Sequence, residues 1–370
     1  MNILIYFPSS YNSVFILTVI DDLIKKQHSV YLLTTTPYGI LQEGAEKLGA
    51  KVYAGNRSND IYHLFKEMYQ LIKFCRKHQI DYVFSHLQYL NLVAVCSRFF
   101  IKASVFPMRH HADDVYLTGN KNAKLLDQLV NIFSRKILVV SPACRIHMTK
   151  YEKVPEKKII ILPSYYNFQF YNLLHLTVDR NQLSYTDNAL HLINIGRMVK
   201  NKNHITLLIV MQKLVKEGMN IILNLLDEGP LESELKEFVR NAGLTENVFF
   251  LGRKTDVLSY IRTADLLVHT SISESAGQVV KEAGVCQVPV IVVKGTGDFD
   301  EYIIDKENGF FVSKDNMADE LYQVLKFVYQ NKFMLKEMGE KLGRAVIDNF
   351  DVANAQLTYT NIIDKSIYSL

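Results

Sequence analysis

Short apolar runs alternate with amphipathic stretches along nearly the whole chain, and the alternation runs through twice. Residues 2–7 and 29–33 read as strands. Between them, over 13–26, apolar side chains recur every three or four positions, the period of a helix face. Strand, helix, strand in that order builds a parallel sheet, because parallel neighbours need a crossover connection. Further strands are expected at 51–54, 81–85, 103–108, 136–140 and 159–162, with a helix over 61–78. From 163 the period fades into an aromatic stretch, Ser164-Tyr165-Tyr166-Asn167-Phe168-Gln169-Phe170-Tyr171, and the polar Asp179-Arg180-Asn181-Gln182. A second series of strands follows at 190–195, 220–226, 248–251, 266–269, 290–293 and 309–312, then helices at 318–329, 332–349 and 352–369. The expected fold class is α/β, with two Rossmann-like parallel-sheet domains facing a cleft, over 1–170 and 189–349, and a linker at 171–188. Residues 350–370 are expected to form a C-terminal helix that packs back on the first domain. Ligands of open α/β sheets sit beyond the carboxyl ends of the strands, so the binding residues belong there.

Several function classes drop out. Hydrophobic residues make up 48% of the chain and charged ones 22%, a globular composition. The longest apolar runs, such as 14–17 and 288–293, fall short of the roughly 18 residues that span a membrane. Residues 1–7 have no basic leader or cleavage site and read as a strand and not as a signal peptide, and four widely spread cysteines lead us to expect a reduced, cytoplasmic setting. Cys75, Cys96, Cys144 and Cys286 form no CxxC pair, so neither a zinc site nor a disulfide framework is expected.

Charge is unevenly divided. Up to Phe170 there are 21 Lys and Arg against 12 Asp and Glu; beyond it there are 21 against 26. Arg98-Phe99-Phe100-Ile101-Lys102 and Lys121-Asn122-Ala123-Lys124 lie in the basic half. Such a half suits peripheral contact with an anionic membrane, and equally an ordinary scatter of solubilising lysines. No arginine-rich run or RNA-binding signature points to nucleic acid.

The second half carries the chemistry. Gly196-Arg197 ends a strand and Lys202 follows, placing cations and backbone N–H groups where a diphosphate can be held. Glu274 precedes a helix and Glu282 lies two turns later, with Gly277 between them. Carboxylates accept from sugar hydroxyls, and the intervening helix N-terminus can receive phosphate. Asp298-Phe299-Asp300 spells a metal-binding pair, but it lies in a glycine-rich loop away from the phosphate residues, so no metal is expected.

Seven landmarks stand in order: Gly196-Arg197…Lys202, Gly229-Pro230, Phe250-Leu251-Gly252, Ala264-Asp265…Ser271, Glu274…Glu282-Ala283, Pro289-Val290 and Asn308-Gly309. This series resembles the donor-binding half of retaining GT-B glycosyltransferases of family 4, the glycosyl transferases group 1. The resemblance implies a nucleotide-sugar donor (UDP- or GDP-linked), a glycan or lipid-linked acceptor, and no cofactor or metal. It implies that Arg197 and Lys202 neutralise the diphosphate, that Glu282 binds the ribose and that Glu274 faces the transferred sugar. Backbone groups of Ala276, Gly277, Gln278 and Val279 would hold sugar and phosphate, with Gly196 and Arg253 also among the donor-binding residues. In the first half, either His110 or His111 would fill the place of a histidine that reaches the donor sugar, and His86 stands at the end of the preceding expected strand. Glu301 matches a further acidic position, though it would serve equally as a helix cap.

Four departures stand out. The first loop reads Ser9-Ser10-Tyr11-Asn12-Ser13 instead of a glycine pair, and Glu274-Ser275-Ala276-Gly277 replaces Glu-Gly-Phe-Gly. Asp227-Glu228-Gly229-Pro230 stands for Gly-Asp-Gly-Pro, and Ser164-Tyr165 for Asn-Gly. None removes a charged group that the reaction needs. The competing readings are a nucleotide-sugar epimerase or sugar phosphorylase of the same architecture, and an inactive donor-binding subunit. No cofactor-lysine pocket favours the phosphorylase, and the retained charged residues disfavour the inactive subunit.

Overall fold

The computed structural model describes residues 1–11, 13–55, 63–112, 120–171 and 188–367. They form two units, Met1–Phe170 with Phe350–Leu370, and Tyr171–Asn349. Most of the 171–188 segment expected as the linker lies outside the described residues.

In the first unit the strands are β1 (Asn2–Phe7), β2 (Ser29–Thr34), β3 (Lys51–Tyr53), β4 (Tyr82–His86), β5 (Ser104–Arg109), β6 (Ile137–Val139) and β7 (Ile159–Ile161). Between them run α1 (Val14–Lys25), α2 (Ile40–Lys47), α3 (Leu64–Lys77), α4 (Gln88–Ser97), α5 (Lys121–Phe133) and α6 (Pro142–Lys150). The sheet order is β3-β2-β1-β4-β5-β6-β7, with every pairing parallel. The chain winds outward to β3, then adds β4 on the other side of β1. That reversal leaves a crevice beyond the carboxyl ends of β1 and β4. Covered by helices, the strands read as near-continuous apolar runs; β4 is buried along its whole length. Ser13 caps α1 by accepting from the Ile16 amide at 3.4 Å.

The second unit repeats the logic with β8 (Leu190–Ile195), β9 (Ile221–Leu226), β10 (Val248–Gly252), β11 (Leu266–His269), β12 (Val290–Val293) and β13 (Phe310–Val312). Its helices are α7 (His204–Lys216), α8 (Glu232–Asn241), α9 (Val257–Ile261), α10 (Gln278–Val285), α11 (Met317–Gln330) and α12 (Leu335–Phe350). The order β10-β9-β8-β11-β12-β13 is again all parallel and reverses between β8 and β11. Its core gathers Leu192, Leu223, Leu225, Val268, Ile291 and Leu321, among others, from both sheet and helices.

Two tail expectations need correction. The helix expected over 332–349 opens as a 3-10 turn, Lys332–Met334, before α12. The helix expected over 352–369 begins later, as α13 (Tyr359–Ile367), because the chain before it is otherwise engaged. The Tyr166 amide donates to the Phe350 carbonyl at 2.8 Å, and the Val352 amide donates to the Tyr166 carbonyl at 2.9 Å. Ser164–Tyr166 is therefore not irregular filler but the receiver of the C-terminal segment. Tyr359, fully buried, sets its ring edge-on to Phe84 at 4.5 Å and donates its hydroxyl to Met108 Sδ at 3.2 Å. Among the described residues no helix is long and apolar enough to cross a membrane.

Candidate active site

In the second unit the reversal point brings two loops together. One, after β8, carries Gly196, Arg197 and Lys202; the other, after β11, carries Glu274. They are laced by backbone: the Ile272 amide donates to the Asn201 carbonyl at 2.8 Å, and Thr270 Oγ1 donates to the Lys202 carbonyl at 3.0 Å. Lys202 Nζ consequently meets Glu274 Oε1 in an ion pair. His269, the last residue of β11 and 3% exposed, brings Nε2 to the same oxygen at 2.8 Å. Burial alone would raise the Glu274 pKa. The His269 hydrogen bond and the charges of His269 and Lys202 outweigh it and hold the carboxyl well below its usual range. The sequence reading missed His269, whose only signal is a polar residue closing an apolar strand.

Glu274 leads into α10, where the Val280 amide makes the first helical bond, to the Gly277 carbonyl at 3.1 Å, and the Gln278 and Val279 amides ahead of it form an anion-receptive end. Ala276, Gly277, Gln278 and Val279 make up this corner. A Cβ on Gly277 would overlap the Phe299 ring, which is fully buried and also stands edge-on to His269 at 5.7 Å. Gly277 is needed for that close approach. Two turns on, Glu282 accepts from Gln278 Nε2 at 2.8 Å and from the Tyr171 hydroxyl at 3.4 Å. Burial pushes its carboxyl up to about 7, against the lowering effect of those two bonds.

Arg197 is exposed, and its guanidinium has no partner among the described residues. At Gly196 a Cβ would meet Lys202 only at 3.4 Å, so packing within the chain does not demand glycine there. Arg253 is exposed and directly follows edge strand β10, two strands from β8. Glu301 is exposed in a 3-10 turn, Phe299–Glu301. Asp298 and Asp300 are engaged separately: Asp298 with Lys281 at 2.6 Å, Asp300 with the Gly295 amide at 2.8 Å.

Other landmarks prove architectural. Asp265 Oδ2 accepts from the His191 amide at 2.8 Å and ties the entry of β11 to β8. A Cβ on Gly229 would lie 2.5 Å from the Met198 carbonyl, so the Gly229-Pro230 turn needs glycine to pack on that backbone. Asn308 bridges the turn before β13, donating to the Tyr302 carbonyl at 2.9 Å and accepting from the Ile304 amide at 2.7 Å.

The first unit has its own cluster beyond β4 and β5. His86, fully buried at the end of β4, brings Nδ1 within 2.8 Å of His110 Nε2, and the rings stack at 5.1 Å. Burial drives the His86 pKa well down and that of His110 to about 4, with neighbouring imidazole charge adding to each. His111 goes elsewhere: its Nε2 lies 2.9 Å from Asp127 Oδ2. Asp127 also accepts from Arg109 at 3.1 Å, and Arg109 forks onto Glu152 at 2.5 and 2.7 Å. The two adjacent histidines thus face different partners, a distinction that spacing could not draw.

Residues 177–345 match the glycosyl transferases group 1 family. The match takes in nearly the whole of the second unit. The group 1 series covers the site just described, from β8 through α10 to β13. Among curated relatives, the poly(ribitol-phosphate) alpha-N-acetylglucosaminyltransferase of Staphylococcus aureus is 24% identical over 172 residues, 46% of this chain and 35% of that protein. A Campylobacter jejuni relative, N-acetylgalactosamine-N,N'-diacetylbacillosaminyl-diphospho-undecaprenol 4-alpha-N-acetylgalactosaminyltransferase, is 24% identical over 277 residues, 73% of this chain and 72% of the relative. The chain thus spans about a third of the first relative's length and nearly three quarters of the second's. Among solved structures, Anabaena HepE in complex with UDP-glucose superposes with a TM-score of 0.80 at 17% identity, covering both chains completely. At that identity the likeness establishes the fold, two parallel-sheet units of the GT-B kind.

Proposed function

We propose that this group 1 chain is a retaining glycosyltransferase that moves a sugar from a nucleotide-sugar donor to a glycan or lipid-linked acceptor in bacterial surface-polysaccharide or lipopolysaccharide synthesis, without a metal. The observation that carries the reading is the Lys202–Glu274–His269 cluster at the β8/β11 reversal, beside the N-terminus of α10. Lys202 and Arg197, whose guanidinium has no partner among the described residues, are suited to a diphosphate and to the charge it gains as the leaving group departs. Glu274, held ionised, suits sugar hydroxyls and a developing positive centre at the anomeric carbon. Glu282 suits a ribose diol, and the amides of 277–279 suit phosphate or sugar oxygens. In the first unit, His110 stays neutral at physiological pH and serves as a hydrogen-bond partner for a hydroxyl, whereas His111 is committed to Asp127. Support for a nucleotide-sugar donor comes from HepE, solved with UDP-glucose.

The same reading includes peripheral contact of the first unit with an anionic membrane, and the exposed aromatics support it. On α3, Phe65 is 82% exposed and Tyr69 65%; Phe99 and Phe100, at the end of the adjoining α4, are 60% and 55% exposed. The Arg98 guanidinium lies 4.6 Å over the Phe99 ring, and the pKa of Arg98 is lowered by burial and by the charge of Arg135. Exposed aromatics beside mutually repelling arginines suit a surface that is apolar beneath and negative above.

The test is a thermal-shift screen with UDP, GDP, ADP and CMP, followed by incubation with the sugar donors of whichever nucleotide stabilises the protein. Transfer to acceptor, or slow donor hydrolysis, is the expected result. Epimerisation of the donor, or binding without chemistry, would replace this reading with one of its two competitors.

A further inference from the structure

Lys281 is an unusual residue to find 1% exposed, and its partner Asp298 is 5% exposed. Nζ and Oδ2 are 2.6 Å apart, and the ammonium also lies 5.3 Å over the Tyr302 ring. The other Asp298 oxygen, Oδ1, is buried with no hydrogen-bond partner among the described residues. A buried ion pair of this kind contributes little stability relative to apolar residues of similar volume, since desolvation offsets the attraction. What it supplies is direction: a fixed link between two pieces of backbone.

Those two pieces frame the site. Lys281 immediately precedes Glu282 in α10. Asp298 stands between Gly297 and Phe299 in the loop after β12. Gly297, at a left-handed φ of +64°, comes so near Glu274 that an added Cβ would lie 3.1 Å from the Glu274 Cβ. Phe299 fills the space left by Gly277 and meets the edge of His269. The loop thus backs Glu274, Gly277 and His269, and Asp298 is the side chain that anchors it to the helix carrying Glu282.

We propose that Lys281 and Asp298 are a positioning pair: their ion pair fixes the loop of residues 294–302 against α10, and so sets Glu274 and the α10 amides relative to Glu282. Neither residue touches the donor. The geometry stands on the residues above, while the consequence for turnover rests on the nucleotide-sugar reading.

The test compares wild type with Lys281→Met/Asp298→Leu, which removes both charges together. The double variant is expected to fold with a melting temperature near wild type. Hydrogen–deuterium exchange over 294–302 should quicken by about tenfold while β8 and β11 stay protected. Turnover with the donor should fall by about tenfold or more, whereas the Kd for UDP, which lacks the sugar, should change less than about threefold. Should the double variant fail to fold, the isosteric Asp298→Asn carries the same three readouts. Unchanged exchange over 294–302, or unchanged turnover, overturns the positioning role. If wild type neither binds nor turns over any nucleotide sugar, the functional reading fails instead, and the exchange measurement alone decides whether the pair anchors the loop.

Discussion

A single oxygen of Glu274 receives both His269 Nε2, at 2.8 Å, and Lys202 Nζ, leaving Oε2 without a partner among the described residues. Two nitrogens from separate backbone segments thus lock one half of the carboxylate and present the other half. Replacing His269 by Asn should release this hold and let the Glu274 pKa climb back toward its usual value. The sign follows directly: activity, which needs the carboxylate ionised, should be lost at higher pH in the variant as the medium is acidified. A pH–rate profile with an unmoved acid limb would remove His269 from this role.

Arg197 and Lys202 should differ in what their loss does to the fold. Either substitution by Ala should cut turnover by an amount worth about 2–4 kcal/mol, the scale of a charge-assisted contact that strengthens in the transition state. Arg197 has no partner among the described residues, so its loss should leave the melting temperature unchanged. Lys202→Ala removes the mate of Glu274 and should lower it. Near-normal steady-state rates in both variants would refute the phosphate assignment.

Glu282 carries a stability signature of its own. Its carboxyl is raised to about 7 in the folded chain and titrates near 4.5 when unfolded, so the folded state binds more protons between those values. Stability should therefore fall as pH rises from about 4.5 to 7, then level off. Glu282→Gln should be nearly neutral at pH 5 and stabilising at pH 8, on the order of 2 kcal/mol. The same variant should weaken UDP binding more than it slows the bound donor, whereas Glu274→Gln should chiefly lower turnover. Thermal melts and nucleotide titrations at the two pH values check both halves.

Gly277→Ala should be costly, because the Phe299 ring occupies the place of the new methyl group. Overpacking of this kind costs about 1–3 kcal/mol. Adding Phe299→Leu should restore part of the lost stability. Chemical denaturation of the single and double variants measures the coupling.

Membrane docking makes a salt-dependent prediction. Each basic side chain near an anionic surface is worth about 1 kcal/mol, and this attraction is screened as salt is raised. The protein should pellet with anionic vesicles at low salt, less at high salt, and not with neutral ones. Phe99→Ser/Phe100→Ser should weaken the pelleting. No lipid-dependent pelleting at low salt would leave the basic half as surface chemistry only.

The strands were legible because parallel strands covered on both faces must be apolar throughout, as in Val290–Val293 and Ile221–Leu226. Helices such as α4 were not, since QYLNLVAVCS is buried over most of its surface and shows little amphipathic period. Glu274 and Lys202 were visible as charged residues at fixed spacing, but their pairing was not, because it depends on two loops meeting across β8 and β11. His269 and Asp298 were hidden for a related reason. Their partners lie 5 and 17 residues away, and only the folded register brings them within reach.

The return of the C-terminal segment to Tyr166 has a consequence for how this chain can be divided. The first unit is discontinuous in sequence, and the second is an insertion between Phe170 and Phe350. A fragment ending at 170 would lack the Tyr359 ring and leave a hole beside Phe84, Phe15 and His86. The chain leaves and re-enters through adjoining backbone, at Tyr166 and Asp351. A short tether in place of residues 171–349 should therefore yield the first unit as a closed, self-sufficient module, whereas a simple truncation should not.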